Sequence, residues 1–277
     1  MRAIVLNLSA WIMLPIMDGF AKYLSSTLPV LQITWSRYFF TVVIVLPIML
    51  IFFRKNLTWT EKPKLQLIRG LLLFCANILF FYSISIISLA KALTLAFIAP
   101  LIVTALSPIL LGEKVGVRRW AAVIVGFIGS LIVIRPGFVE INLASVAALG
   151  TGIMYGFYLI VTRKLHNSDN PLLTLLLTGV VGAILGSMLM PTVWVQPTVY
   201  EWYMMFAIGF FASIGHLFLI LSLRYADASK LAPFGYFEIV PNIIIGYFFF
   251  NHFPNQWHFL GLFIIISSGI YIFRREM

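Results

Sequence analysis

A chain of 277 residues that is 61% hydrophobic and only 10% charged, with a mean hydropathy of +1.02, is not an ordinary soluble globular protein, in which roughly a quarter of residues are charged. Helices of about 20 residues cross a ~30 Å hydrocarbon layer, and about ten of them with connectors use the whole length, leaving no room for a separate catalytic or nucleic-acid-binding domain. The net charge of +10 therefore reads as membrane topology, not as affinity for nucleic acid, and the single cysteine, Cys75, excludes an internal disulfide.

Apolar stretches bounded by charges or by Pro, Asn and Ser clusters give ten candidate spans. The first five run Ala3–Tyr23, Val30–Phe53, Leu65–Ile87, Leu89–Leu111 and Val117–Ile134. The second five run Leu143–Thr162, Leu172–Met190, Tyr200–Leu223, Ser229–Phe250 and Trp257–Phe273. The first is expected to be retained, not cleaved as a signal peptide, because it carries Asp18 and Lys22 in its distal half and has no small-x-small cleavage site. With the N-terminus inside, 15 of the 19 Lys and Arg residues fall on the inner side, Arg69, Lys114, Arg118, Arg119 and Arg163 among them. The outer side receives Lys22, Lys91 and Arg135, and Arg37 lies within the second span. One missed span would scramble every later loop, so this bias supports an all-α polytopic membrane protein with ten transmembrane helices and both termini cytoplasmic.

The chain also looks duplicated. Ser88 to Pro100 reads S-L-A-K-A-L-T-L-A-F-I-A-P, and that helix ends in L-G-E at Leu111 to Glu113. Ala226 to Pro241 reads A-D-A-S-K-L-A-P-F-G-Y-F-E-I-V-P, and that helix ends in F-F-N at Phe249 to Asn251. A polar turn, a Trp (Trp120, Trp257) and a Gly-containing span follow each, which sets the halves about 138 residues apart. Residues 1–137 and 138–277 are thus expected to be two five-helix repeats. Because five is odd, the second enters the membrane from the opposite face, an inverted repeat with a substrate site near the midplane between halves. On this alignment Asn251 stands opposite Glu113.

These segments resemble the drug/metabolite transporter superfamily in its ten-helix EamA-type branch. The resemblance is carried by R-G-L-L-L-F at Arg69 to Phe74, by Pro100 and Glu113, by R-R-W-A-A-V-I-V-G-F-I-G at Arg118 to Gly129, and by A-D-A-S-K-L-A-P with Tyr236 and Glu238. It covers nearly the whole chain through short, permissive motifs. It implies a basket of two five-helix halves that moves small polar metabolites. Within the branch, Arg69 to Gly129 is most similar to carriers of amino-acid-derived metabolites, S-adenosylmethionine among them.

Ionisable groups within a bilayer cost roughly 2.5–3.5 kcal/mol each on insertion scales, so each needs a reason. Four stand clear of the loops: Asp18, Arg37, His216 and Glu238. The helical rise puts Asp18 and Arg37 about 8–10 Å from the outer ends of their spans, and Glu238 and His216 about 10–13 Å from the inner ends of theirs. Two polar layers are expected. Glu238 lies between Pro233 and Pro241, beside Tyr236 and Phe237, with Phe234 at i−4. A carboxylate among aromatic faces can hold an ammonium or sulfonium group, and Glu238 is also the candidate for proton exchange, with His216 as its relay. The bland alternative is a structural Glu between helices.

Asp18 and Lys22 have the i, i+4 spacing of an intrahelical pair, and Arg37 could meet either Asp18 or a substrate carboxylate. Trp35 and Tyr38 near Arg37, Asn77 and Tyr82 on the third span, and Tyr155 and Tyr158 on the sixth could line a cavity or satisfy neighbouring helices. Gly152-x-x-x-Gly156 and Gly182-x-x-x-Gly186 read as helix packing. His252 and His258 in the ninth-to-tenth connection are not expected to bind metal, and no cofactor is expected.

The sequence has no H-E-x-x-H, no G-x-S-x-G and no GxxxxGK preceding Ser or Thr. The expectation is a non-enzymatic secondary transporter of a cytoplasmic membrane, monomer or homodimer, whose partners are a small-molecule substrate and membrane lipid. The substrate is a cationic or zwitterionic metabolite (amino acid, amine or sulfonium compound). An exporter of aromatic or neutral amino acids is the alternative within transport. A membrane-embedded enzyme or a non-transporting scaffold is the alternative from another class, and the two depth layers weigh against the enzyme.

Overall fold

Helices form wherever the apolar stretches lead, because in lipid each backbone N–H and C=O must be satisfied within its own segment. In the computed structural model, which describes residues 1–134, 142–251 and 256–276, they are α1 (Arg2–Leu24), α2 (Val30–Phe52), α3 (Pro63–Ile86), α4 (Leu89–Ala96), α5 (Ile98–Leu111) and α6 (Val117–Ile134). They continue as α7 (Leu143–Lys164), α8 (Pro171–Leu189), α9 (Val199–Tyr225), α10 (Ala228–Leu231), α11 (Ile239–Phe250) and α12 (Gln256–Glu276). A helix, whole or broken, thus occupies each of the ten expected stretches. Among the described residues eight stretches are long and apolar enough to cross a membrane, and Phe259–Tyr271 within α12 is a shorter apolar run. Arg135 and His252 lie outside the described residues, as does the side chain of His258.

The fourth and ninth spans are broken. Pro100 has no N–H for the carbonyl of Ala96, four residues back, and the helix stops at Ala96 and restarts at Ile98. In the ninth span a 3₁₀ stretch, Ala232–Glu238, with Pro233 in its first turn and Pro241 just beyond it, lies between α10 and α11. The ring of Phe97, at the first break, meets the ring of Tyr236, in the second, edge-on at 5.2 Å.

Packing follows a pattern that survives exchange of the halves. The first span packs along the eighth (α1 on α9) and the third along the sixth (α3 on α7). The first span also lies against the ninth, and the sixth against the fourth; the second pairs with the seventh (α2 on α8) and the fifth with the tenth (α6 on α12). Small residues permit these contacts. Gly182 and Gly186 let α8 rest on Tyr38 and Trp35, and Gly152 and Gly156 let α7 rest on Ala96, Ile98 and Ile102. Both glycine pairs are packing positions, as the sequence suggested.

Three expectations need correction. Asp18 and Lys22 do not pair: the Lys22 ammonium donates to the carbonyls of Ile84 (2.7 Å) and Ile87 (3.1 Å), capping the C-terminus of α3. Arg69 is not a loop-end cation; it is fully buried within α3. The repeat offset is also one residue longer than the motifs imply. α5 ends on Gly112 at φ 69° and α11 on Asn251 at φ 53°, the left-handed residues that close each helix. Asn251 therefore matches Gly112, not Glu113, and by sequence His252 takes the place opposite Glu113.

Candidate functional site

One side of α1 presents Asn7, Trp11, Leu14 and Asp18, spaced i, i+4, i+7, i+11, to a central cavity. α3 adds Leu73, Asn77 and Phe80, and α7 adds Thr151, Tyr155 and Leu159. The broken spans close it with Ala96, Phe97 and Pro100 on one side and Ala232, Gly235 and Glu238 on the other, while His216 of α9 forms part of the wall. Its volume is about 90 Å³, room for several waters. Both kinks therefore face the cavity, where irregular backbone is tolerated because it is not exposed to lipid.

The walls are apolar and aromatic, with two carboxyl groups among them. Asp18 is 3% exposed, and neither it nor the Glu238 carboxyl makes a hydrogen bond or ion pair to the described residues; Asp18 Oδ1 is a buried acceptor without a partner. They are near enough to act electrostatically on each other, and Arg37 acts in the same way on Asp18. Trp11 donates its indole N–H to Asn7 Oδ1 (2.7 Å) and sits edge-on to Tyr155 at 6.3 Å. These groups form one cluster where depth arithmetic suggested two layers. The helices are broken and pack closely around one centre, so distance along each span does not measure separation between spans. The layers accordingly carry no argument against an enzyme.

Arg37 makes no ion pair with Asp18 and engages other partners. Its Nη2 donates to His216 Nε2 (2.5 Å), its Nε to Met17 Sδ (3.3 Å), and its guanidinium lies 4.6 Å from the Tyr38 ring centroid. His216 Nδ1 bonds the Tyr158 hydroxyl (2.9 Å). Arg69 donates to Thr162 Oγ1 (2.8 Å), the Thr174 carbonyl (3.1 Å), Thr178 Oγ1 and the Tyr158 hydroxyl (2.8 Å). Arg37, Tyr38, Arg69, Tyr158 and His216 line a second, smaller cavity of about 10 Å³.

Of the sequence-predicted site residues, Asp18, Asn77, Tyr155, His216 and Glu238 line the central cavity; Arg37, Tyr38 and Tyr158 join His216 at the second. Both His216 ring nitrogens are engaged with Arg37 and Tyr158, and it makes no hydrogen bond to Glu238. Phe234 and Tyr236 are buried in the 3₁₀ stretch, Trp35 packs on Phe39 and donates to Ser187, and Tyr82 is half-buried; none of the four lines either cavity.

A model of the EamA-like transporter family matches residues 1–135 and again residues 142–274. The chain belongs to the EamA-like transporter family. An S-adenosylmethionine uptake transporter of Rickettsia bellii is 29% identical over 94% of this chain and 89% of its own length. A riboflavin transporter of Vibrio cholerae is 25% identical over 97% of this chain and 92% of its own. A crystal structure of a protein 17% identical in sequence covers 99% of both chains at a TM-score of 0.79, which speaks for the fold alone. This EamA-family protein is accordingly a multi-pass transporter of the inner membrane, not an enzyme.

Sequence reasoning missed Trp11, Asn7, Phe80, Phe97 and Arg69. The signal for the α1 residues was present, since Asn7, Trp11 and Asp18 share one helical face. Phe97 carried none: in a run of apolar residues only the break at Pro100 turns it towards the cavity.

Proposed function

We propose that this EamA-family transporter is a secondary carrier of a small cationic or zwitterionic metabolite, a sulfonium compound such as S-adenosylmethionine, moved through the central cavity by alternating access with protons exchanged at Glu238. The observation that carries this reading is the pair of carboxyl groups, Asp18 and Glu238, in one cavity with no protein partner among the described residues. Carboxylates so placed are costly unless something answers their charge. A substrate cation does so, and Trp11, Phe97 and Tyr155 offer it aromatic faces. A neutral aromatic amino acid brings one ammonium, whereas S-adenosylmethionine brings an ammonium and a sulfonium, a positive centre for each carboxyl group. The name of the Rickettsia relative fits this choice of substrate.

Residues 1–137 and 138–277 serve as the two inverted halves, a division supported by the paired family matches, the broken fourth and ninth spans and the matching left-handed ends. A cavity of about 90 Å³ is smaller than the roughly 300–1,000 Å³ of ligand pockets, so substrate enters only when the halves part.

The test is thermal unfolding of detergent-purified protein, wild type beside Asp18→Asn and Glu238→Gln, against S-adenosylmethionine, choline-like amines, basic amino acids and aromatic amino acids. A ligand at a hundred times its Kd adds about 2.7 kcal/mol, enough to shift the melt. A cation should stabilise the wild type and lose its effect in both variants. Equal stabilisation of all three proteins by aromatic amino acids would make the carboxyl groups structural and end this reading.

A further inference from the structure

The second cavity has an unusual proton inventory. An arginine only donates, so His216 Nε2, 2.5 Å from Arg37 Nη2, is an acceptor and the imidazole proton sits on Nδ1. Nδ1–H then donates to the Tyr158 oxygen, which also accepts from Arg69 Nη2, so the hydroxyl hydrogen of Tyr158 is left without an acceptor among the described residues. The Tyr38 oxygen accepts from Asn77 Nδ2 (3.0 Å), and its own hydrogen is left over in the same way. The Arg37 guanidinium lies over the Tyr38 ring, 4.6 Å from its centroid, beside these hydroxyls. The two threonine hydroxyls in the wall, Thr41 and Thr178, spend their hydrogens on the carbonyls of Arg37 and Thr174. The two tyrosine hydroxyls and the Arg37 guanidinium thus border one small space.

Charge points the same way. Arg37 and Arg69 are 2% and 0% exposed, and neither has a carboxylate within ion-pair distance among the described residues. Asp18 and Glu238 line the other cavity, across the wall formed by Leu73 and His216. Buried charges persist when they are paired. A water here would turn its own two hydrogens towards donors, whereas a monoatomic anion accepts from every side. The volume, about 10 Å³, is on the scale of one water-sized particle, so a halide enters with a small outward shift of the lining side chains.

We propose that the second cavity is a halide site, holding chloride between Arg37 and Arg69 with the hydroxyls of Tyr38 and Tyr158. The ion neutralises the arginines, fixes the neutral tautomer of His216, and so sets one wall of the central cavity. The site does not depend on which metabolite is carried.

The test uses purified full-length protein exchanged into sodium gluconate and titrated with sodium chloride or bromide at constant ionic strength. The melting temperature should rise saturably with either halide. Tyr38→Phe and Tyr158→Phe each remove one hydroxyl donor and should raise the midpoint concentration about tenfold. Crystals grown with bromide should give an anomalous peak bounded by Arg37, Arg69 and the two tyrosines, a measurement on wild type that stands even if a variant folds poorly. Superimposable halide and gluconate curves, equal midpoints in wild type and variants, or no anomalous peak would each overturn the proposal. No metabolite enters these measurements, so their failure is distinct from failure of the substrate reading.

Discussion

Glu113 Oε2 accepts from both the backbone N–H (2.9 Å) and the hydroxyl (2.7 Å) of Ser229, so the end of one broken span holds the start of the other. Oε1 accepts from the Ala228 N–H (2.9 Å) and from Arg163 Nε (3.3 Å). Burial opposes the charge, but the Ser229 and Ala228 donors and the Arg163 guanidinium outweigh it and hold the carboxyl below its ordinary value of 4.5. A depressed folded pKa gives stability that is complete above the unfolded value and is lost as pH falls through the folded one. The wild-type melting temperature should therefore drop below about pH 4.5 by more than that of Glu113→Gln, and at neutral pH the variant should be about 1–3 kcal/mol less stable. Parallel pH profiles would show that Glu113 contributes nothing through its charge.

Arg163 and Lys22 make the same kind of contact at corresponding places in the two halves. Arg163 Nη1, near the end of α7, donates to the carbonyl of Leu223 near the end of α9 (2.8 Å), as Lys22 near the end of α1 donates to Ile84 near the end of α3. Arg163 also binds Asp227 Oδ1 (2.9 Å). If each closes one mouth of the cavity, Arg163→Gln favours opening on its side and Lys22→Gln on the other. Losing about 1 kcal/mol of latch free energy changes the ratio of open states roughly fivefold. In a Cys75→Ser background, Leu231→Cys and Leu93→Cys, both in the cavity wall, report the opening through labelling by an impermeant thiol reagent. Arg163→Gln should speed labelling from the face bearing Arg163 and slow it from the other, and Lys22→Gln should do the reverse.

Gly152 is where α7 touches the break in the fourth span. A Cβ there would run into the carbonyl oxygen of Ala96, the group Pro100 leaves without its helical partner, and into Ile98. Backbone does not yield as a flexible side chain does, so Gly152→Ala should cost about 1–3 kcal/mol and lower the melting temperature. Gly116→Ala, with nothing within 4 Å, is the control and should leave the melt unchanged. A neutral Gly152→Ala would mean that the fourth span moves freely against α7.

The sequence made the spans legible because hydrocarbon demands long apolar runs, and both bounds of α1, α2 and α6 and the C-terminal ends of α5 and α11 fall within a residue of the hydropathic edges. Prolines 100, 233 and 241 accompany the breaks, but Pro15, Pro47 and Pro108 lie inside unbroken helices, so proline alone did not mark which spans would break. What stayed hidden was direction. A lone arginine in an apolar helix reads equally as a snorkelling loop end or a buried donor, and Arg69 is the second because Thr162, Thr174 and Thr178, on other helices, supply its acceptors. Lys22 was read by its neighbour along the helix, Asp18, when its partners were carbonyls more than 60 residues away. Periodicity within one helix found the face shared by Asn7, Trp11 and Asp18 but not which other faces it would meet.

That face yields the last prediction. Trp11 stands in the cavity between Asn7, which accepts its indole N–H, and Asp18, and Asn7 in turn donates to Ser222 Oγ of α9 (3.3 Å). On the proposed function its ring faces the substrate cation, an attraction of about 0.5–2 kcal/mol that depends on the π-face and not on the N–H. Trp11→Phe keeps a face and gives up the bond to Asn7, and Trp11→Ala gives up both. Ligand affinity from calorimetric titration should fall roughly tenfold or more in Trp11→Ala and by only a few-fold in Trp11→Phe, while melting temperature without ligand falls in both. Equal affinity losses in the two variants would assign Trp11 to holding α1 against α9 through Asn7, with the cation bound by the carboxyl groups alone.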